Sequence, residues 1–301
     1  MKQNLFYSLL IFLAAFFSVA AETSEQEIKF TPGIKTGTIQ TRLIQEASGI
    51  VASRKNKSVL WVHNDSGKKA KLYAINQTGK LLGVFVIKNA NCRDWEDVAI
   101  GPGPDKNSDY LYIGDIGDNK NKHSNVIVYR IPEPAVDINT SDKIADKEIE
   151  IKHADKIELV YPDSPTDAET LLVDPLNGDI YIITKRDLFS RVYHAPYPQS
   201  TDKPTEMAFA LILPLGIATG GDVSPDGKLV ILRNPTNAAI WRRSESEPLW
   251  KAFFKEYSTV VLVPEPQGEA ICFSADASGF YTLSEKSNQP VYYYQISDSS
   301  K

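Results

Sequence analysis

The sequence predicts an all-β fold, a β-propeller of about five four-stranded blades closed by an N-terminal strand. Three observations predict it: an apolar strand that recurs behind a small or acidic residue, turns rich in Asn, Asp, Gly and Pro, and a repeat spacing near 50 residues. A repeat of that length accommodates four short strands, and a ring of such sheets is the architecture of propellers.

Each repeat begins with a strand whose first residue is small or acidic. The starting residues are 48, 73, 53 and 47 positions apart, in the order Ser48, Glu96, Glu169, Asp222 and Glu269. The long second interval contains a charged segment, Asp137 to Lys147, which we expect to form a loop.

The later strands of each repeat follow hairpin turns. Asp174 to Gly178 and Ser224 to Gly227 carry the turn residues that favour tight hairpins. Third strands carry an aromatic residue, for example Tyr73 or Trp241. Fourth strands are predicted at Leu81 to Ile87, Glu148 to Tyr161, Met207 to Leu213 and Thr259 to Val263.

The fifth repeat ends before a fourth strand can form. The strand-like segment Thr36 to Leu43 lies upstream of the first repeat. We expect it to pair beside Pro290 to Ile296, because closing the ring removes an exposed sheet edge. A six-bladed ring is the alternative.

The N-terminus has the pattern of a cleavable signal peptide. Lys2 precedes the apolar run Leu5 to Phe17, and small residues follow at Ser18 to Ala21. We therefore expect cleavage after Ala20 or Ala21, a secreted or periplasmic protein, and one mature domain at residues 22–301. No later apolar run is long enough to insert in a membrane.

Charge and cysteine content narrow the possible partners. The formal net charge of −5 argues against nucleic acid, which requires a basic surface. Two cysteines, Cys92 and Cys272, are too few for a disulfide framework in a chain of this length. Because Cys272 lies in an apolar strand, we expect a buried thiol there.

The starting residues of the first strands predict a metal site. First strands line the channel of a propeller, so Ser48, Glu96, Glu169, Asp222 and Glu269 would form a ring around the axis. Like-charged carboxylates at close range repel one another, and a cation among them would relieve this. Calcium, which takes six to eight oxygen ligands, suits the ring better than zinc. Alternatively, some of these acids cap backbone N–H groups between blades.

A second set of polar residues lies at the ends of the second strands. Lys185 and Arg233 could hold a phosphate or carboxylate, or could instead form ion pairs between blades. Asp115 or Glu285 could act as general base. The full set comprises Asn64 or Asp65, Asp115, Thr184 or Lys185, Arg233 or Asn234, and Ser284 or Glu285.

Four motifs resemble those of a family of exported bacterial β-propeller proteins. They are Asn64-Asp65-Ser66-Gly67, Asp94-Trp95-Glu96-Asp97-Val98-Ala99, Tyr112-Ile113-Gly114-Asp115-Ile116-Gly117-Asp118-Asn119 and Thr219-Gly220-Gly221-Asp222. The resemblance spans about Ser48 to Tyr294 and implies a fold and a compartment rather than a reaction.

A more distant similarity is to the calcium-dependent nucleotidases (apyrases), propellers that hold axial calcium with Ser and Glu side chains. It implies that Ser48, Glu96, Glu169 and Glu269 fill equivalent places. Asp222 stands where that pattern has Ser. Propeller phytases and lactonases share the theme of an axial calcium beside an ester.

Two functions follow from these patterns. The first is a calcium-dependent hydrolase of phosphoesters, esters or lactones, with a small-molecule or phosphorylated substrate. The second is a non-enzymatic binding scaffold with a structural ion. Nothing in the sequence identifies a protein partner, and a polar pocket open beside the ion would favour the hydrolase.

Overall fold

Five small sheets form the structure, and together they make a five-bladed propeller. The structure is a computed structural model that describes residues 27–66, 69–140, 145–186 and 188–297. The predicted five blades are confirmed, and the six-bladed alternative is wrong. The predicted signal peptide lies outside the described residues. In the described ranges no helix has the length and apolarity to cross a membrane.

The strands follow the chain blade by blade. Two short strands, β1 (Lys29–Phe30) and β2 (Ile34–Thr38), come first. Blade 1 contains β3 (Ala47–Ala52), β4 (Val59–Asn64), β5 (Lys71–Asn76) and β6 (Leu81–Ile87). Blade 2 contains β7 (Trp95–Pro102), β8 (Asp109–Asp115) and β9 (Asn125–Pro132); after β10 (Glu148–Ile151), it is completed by β11 (Asp155–Val160).

The remaining blades repeat the arrangement. Blade 3 contains β12 (Ala168–Val173), β13 (Ile180–Thr184) and β14 (Ser190–Ala195); after β15 (Thr205–Glu206), it ends with β16 (Ala208–Leu213). Blade 4 contains β17 (Gly220–Val223), β18 (Leu229–Arg233), β19 (Asn237–Arg242) and, after a 3₁₀ helix at Leu249–Phe254, β20 (Tyr257–Val261). Blade 5 contains β21 (Gly268–Phe273), β22 (Gly279–Ser284) and β23 (Pro290–Ser297).

The N-terminal segment closes the ring, as predicted, but with different bounds. β2 pairs antiparallel with β23, with Ile34 opposite Tyr293, and β1 extends the same edge. The strand ends at Thr38 instead of continuing to Leu43. There the chain crosses to blade 1, where the N–H groups of Thr38 and Gln40 donate to the turn carbonyls of Thr78 and Gly79.

The predicted strand Glu148 to Tyr161 is two strands in the structure. β10 lies parallel to β6 and extends blade 1, whereas β11 pairs with β9 in blade 2. Between them the Asn89 side chain binds both backbone groups of Ala154, at 2.8 and 2.9 Å. This clamp breaks the strand and redirects the chain from one blade to the next.

The core consists of apolar layers between neighbouring blades. The layer between blades 5 and 1 contains Cys272, whose thiol is buried as predicted. Neither Cys272 nor Cys92 forms a disulfide. Each fully buried Leu, Ile or Phe side chain contributes roughly 1.5–3 kcal/mol, so the layers hold the blades in the register that the site requires.

The innermost strands β3, β7, β12, β17 and β21 contact one another in sequence around the axis. Since each pairs antiparallel with the second strand of its blade, its start and the end of that second strand lie on one face. Both predicted sets of polar residues therefore meet at this face, called the channel mouth below.

Candidate metal centre

Four of the five predicted ring residues occupy equivalent β-bulges. The register of the innermost strand skips one residue in blades 1, 2, 3 and 5, and that residue is Ser48, Glu96, Glu169 or Glu269. A bulge turns one side chain away from the regular alternation of a strand. The repeated bulge thus brings the four side chains to the mouth of the channel.

Blade 4 departs from this pattern. Gly221 pairs with Leu232 just as Gly49 pairs with His63, which puts Gly220 rather than Asp222 at the ring position. A Cβ on Gly220 would lie 2.4 Å from the carbonyl oxygen of Glu269, so glycine is required there.

Asp222 lies deeper in the channel wall. Its carboxylate accepts hydrogen bonds from the N–H groups of Val223 and of Phe273 in blade 5, both at 2.8 Å. Burial raises its pKa to about 7. Asp222 therefore has the interblade capping role given above as the alternative, and it does not join the acids of the mouth.

Asp97 forms the same kind of link between blades 2 and 3. Its carboxylate accepts from Val98 N–H at 2.8 Å and from Leu171 N–H at 3.0 Å. Asp97 and Asp222, called the wall pair below, are both buried, and both direct their carboxylates at backbone donors.

Three carboxylates converge at the mouth between blades 1 and 2. Asp65 follows β4, Asp94 precedes β7, and Glu96 occupies the bulge of β7. One oxygen of each lies within 4.8 Å of the others, and we call these three residues the mouth cluster. Ser48 holds the backbone of Glu96 in place, its hydroxyl donating to Glu96 O at 2.7 Å.

The loop after β8 fits closely against the mouth cluster. A Cβ on Gly117 would lie 2.2 Å from Glu96 Oε1 and 2.5 Å from Asp94 Oδ2, so a larger residue there would displace these carboxylates. Asp115, predicted as a general base, lies behind the cluster with 1% of its surface exposed. Its carboxylate accepts from Asp94 N–H at 2.8 Å, which makes it a positioning residue for Asp94.

The electrostatics of the mouth cluster favour a cation. Burial and the neighbouring Glu169 and Asp65 carboxylates raise the pKa of Glu96 well above its ordinary range. Burial, with Asp65 as the next cause, raises the pKa of Asp94 to about 6. Burial is the main cause of both pKa shifts and the facing carboxylates add to it, so a cation bound among these groups would favour their ionised forms.

The other side of the mouth contains a positively charged side chain. Lys185 Nζ forms an ion pair with Glu169 and lies 3.6 Å from Glu269 Oε1. Against the opposing effect of burial, Glu169 raises the pKa of Lys185. The predicted ring is thus divided into a lysine-neutralised side and a side formed by the mouth cluster.

Glu285 lies beside Glu269 with 5% of its surface exposed. Burial, the charge of Glu269 and a hydrogen bond to it raise the pKa of Glu285 to about 7. A carboxyl group with such a pKa can exchange protons near neutral pH, so Glu285 remains a candidate general base.

Arg233 lies in the wall between blades 4 and 5. It is fully buried, with Nη2 2.9 Å from Glu265 Oε2 and Nη1 donating to Ala270 O at 3.1 Å. This is the interblade ion pair predicted as its alternative role, and it occupies the guanidinium. His63 is likewise a core residue, since it is fully buried and burial lowers its pKa to about 4.

Sequence reasoning singled out Glu96, weighed Asp65 and missed Asp94 as a site residue. Asp94 stands in the same motif as Glu96, two positions earlier, which was the available clue. A scan against protein-family models and a search of the curated proteins both found no match. The resemblances carried by the sequence motifs therefore stay predictions.

Proposed function

We propose that this propeller binds calcium through Asp65, Asp94 and Glu96 and hydrolyses phosphate or other ester bonds of a small molecule with its help. The convergence of these three carboxylates at an open mouth is the observation that carries the proposal. All three donors are hard oxygens and none is His or Cys, which favours calcium over zinc.

The surroundings of the mouth cluster support ligand access. Beside Asp94 lies a cavity of about 210 Å³, so a substrate could reach an ion held there. When bound, calcium polarises a substrate oxygen and lowers the pKa of a coordinated water. Asp115 holds Asp94 in position, and Ser48 holds the backbone of Glu96.

Glu285 is the proposed general base. Asp65 contributes to its raised pKa, which ties Glu285 electrostatically to the mouth cluster. Glu285 would take a proton from the attacking water while the water oxygen forms a bond to the phosphorus or carbonyl carbon of the substrate. The bond from that atom to the leaving oxygen then breaks, and the leaving oxygen receives the proton.

Export also belongs to this proposal and is supported by the pattern of residues 1–21. Calcium sites in extracellular modules commonly have Kd values of about 10⁻⁴ to 10⁻³ M, weak enough for a site of three carboxylates. N-terminal sequencing of the mature protein should begin at Ala21 or Glu22. An intact Met1 in protein recovered from outside the cytoplasm would contradict cleavage.

A non-enzymatic binding scaffold is the second candidate. The sequestration of Arg233 favours it, because Glu265 occupies the group that was predicted to stabilise charge during a reaction. In that case the calcium ion would order the channel mouth, and a ligand would bind there without being hydrolysed.

An activity screen separates the two functions. The purified mature chain would be assayed with phosphoesters, nucleotides and lactones, in calcium and in EGTA. A hydrolase should turn over at least one class only with calcium, and Glu96→Gln should abolish turnover. Glu247→Gln, which affects an ion pair with Lys255, is the control and should retain it. Absence of turnover in every class, with calcium bound, would contradict the hydrolase and favour the scaffold.

A further inference from the structure

The cavity beside the mouth cluster has basic walls. It lies between the end of blade 1 and the loop after β8, and its lining includes Ser66, Arg93, Asp94, Lys120, Lys122 and His123. Two acids also line it, Asp94 and Asp118. Its volume of about 210 Å³ is enough for a phosphate-sized group with part of its substituent.

The acids of this cavity are committed elsewhere. Asp118 Oδ2 accepts from His123 N–H at 2.7 Å, and hydrogen bonds from the backbone hold its pKa low despite burial. Asp94 belongs to the mouth cluster. In contrast, neither Lys120 nor Lys122 forms an ion pair with a described residue. The two lysines of the cavity are therefore available to a ligand.

Arg93 is held in place with one edge free. Its Nη2 donates to Asp115 O at 3.2 Å, and its Nε lies 3.7 Å from Asp115 Oδ1. Its Nε is buried without a hydrogen-bond partner among the described residues, while 30% of the side chain is exposed. A guanidinium fixed in this way is suited to bind two oxygens of an anion at once.

We infer that this cavity binds the terminal phosphoryl group of the substrate, with Arg93 and Lys122 on one side of the group and the mouth cluster on the other. The inference rests on the proposed function and narrows it to phosphate monoesters or anhydrides. Neutral lactones and simple esters would leave the basic walls unpaired, which disfavours them. A calcium ion held by the mouth cluster would add its positive charge to the basic walls beside the phosphoryl group.

The test is calorimetric binding of methylphosphonate, a monoester analogue whose C–P bond is not hydrolysed, to the mature chain saturated with calcium. Arg93→Lys retains the charge but loses the planar guanidinium that can donate to two oxygens at once. Lys122→Met removes an exposed charge. Each should weaken binding about tenfold, in line with the usual strength of charge-assisted hydrogen bonds. Lys106→Met is the matched control, an exposed lysine in the turn between β7 and β8 on the opposite face, and should bind as the wild type does.

Three outcomes would overturn the anion site. The wild type could bind calcium but not methylphosphonate. Methylphosphonate binding could be unchanged in both Arg93→Lys and Lys122→Met, or it could be no tighter than the binding of acetate. A wild type that binds no calcium would instead overturn the proposed function, so the two failures are distinguishable. Calcium binding itself should be retained in Arg93→Lys and Lys122→Met.

Discussion

Adjacent residues of β7, Glu96 and Asp97, belong to two sets of acids with opposite roles. Asp97 and its counterpart Asp222 form the wall pair, and each carboxylate accepts two backbone N–H groups. Glu96 belongs to the mouth cluster with Asp65 and Asp94, where carboxylate oxygens face one another. Glu96 is as poorly exposed as the wall pair, whereas Asp65 and Asp94 are half-buried, so burial alone does not distinguish Glu96 from Asp97.

What distinguishes the sets is the partner of each oxygen. Backbone donors belong to the fold and are present whether or not a ligand is bound, so the wall pair joins blades permanently. The mouth cluster collects negative charge that protons or a cation must offset. A buried acid that is fully hydrogen-bonded to the backbone is thus structural, whereas one that faces other acids indicates a binding site.

Substitution in the wall pair should have the largest effect on stability. Asp222→Ala leaves the N–H groups of Val223 and Phe273 buried without an acceptor. Each such donor costs about 1–3 kcal/mol, so the free energy of unfolding should fall by roughly 2–6 kcal/mol. Urea denaturation measures the loss. Asp202→Ala, at an exposed position, should change stability by less than about 0.5 kcal/mol. Equal stability of the two variants would contradict the assigned role of Asp222.

Substitution in the mouth cluster, unlike substitution in the wall pair, should not lower the free energy of unfolding when calcium is removed. Glu96→Gln removes a carboxyl group whose ionised form is disfavoured by burial and by the facing acids, so in EGTA the variant should be at least as stable as the wild type. Calcium should stabilise the wild type by about 2.7 kcal/mol when its free concentration is a hundred times Kd. The variant should lose most of that gain.

Thermal melts in EGTA and in calcium measure both effects. Glu247→Gln is the control and should respond to calcium as the wild type does. If calcium does not change the melting temperature of the wild type, the mouth cluster does not bind calcium and its role is structural.

The wall pair should also affect the pH dependence of stability. The pKa of Asp222 is raised from an ordinary 3.8 to about 7 in the folded protein, so folding favours the protonated form. Between these values the folded state binds more protons than the unfolded state, and stability from this group falls as pH rises. Without calcium, the unfolding free energy of the wild type should therefore decline from about pH 4 to pH 7 relative to Asp222→Asn. Parallel curves for the two proteins would contradict the raised pKa.

The repeat pattern was sufficient to predict the fold, because strand length, turn chemistry and spacing are local properties of the chain. The division of Glu148 to Tyr161 was not predictable in this way. It depends on Asn89, which is 65 positions away from Ala154 in sequence and binds its backbone. The parallel pairing of β10 with β6 has the same non-local origin.

The site was predicted less completely, for a related reason. A bulge shifts the direction of side chains by one residue, and no local pattern indicated that blade 4 has a glycine at the ring position. Asp222 was therefore aligned with the glutamates although it lies two residues farther along its strand. The ion pair of Lys185 with Glu169, which divides the ring, likewise depends on a contact between residues 16 positions apart.

The most direct test of the contrast between wall pair and mouth cluster is a calcium titration by isothermal calorimetry of three proteins: wild type, Glu96→Gln and Asp222→Asn. The wild type should bind calcium at one site, Glu96→Gln should lose that binding or weaken it at least tenfold, and Asp222→Asn, once shown to be folded, should bind as the wild type does. Wild-type affinity in Glu96→Gln, or loss of binding in folded Asp222→Asn, would contradict the assignment of calcium to the mouth cluster.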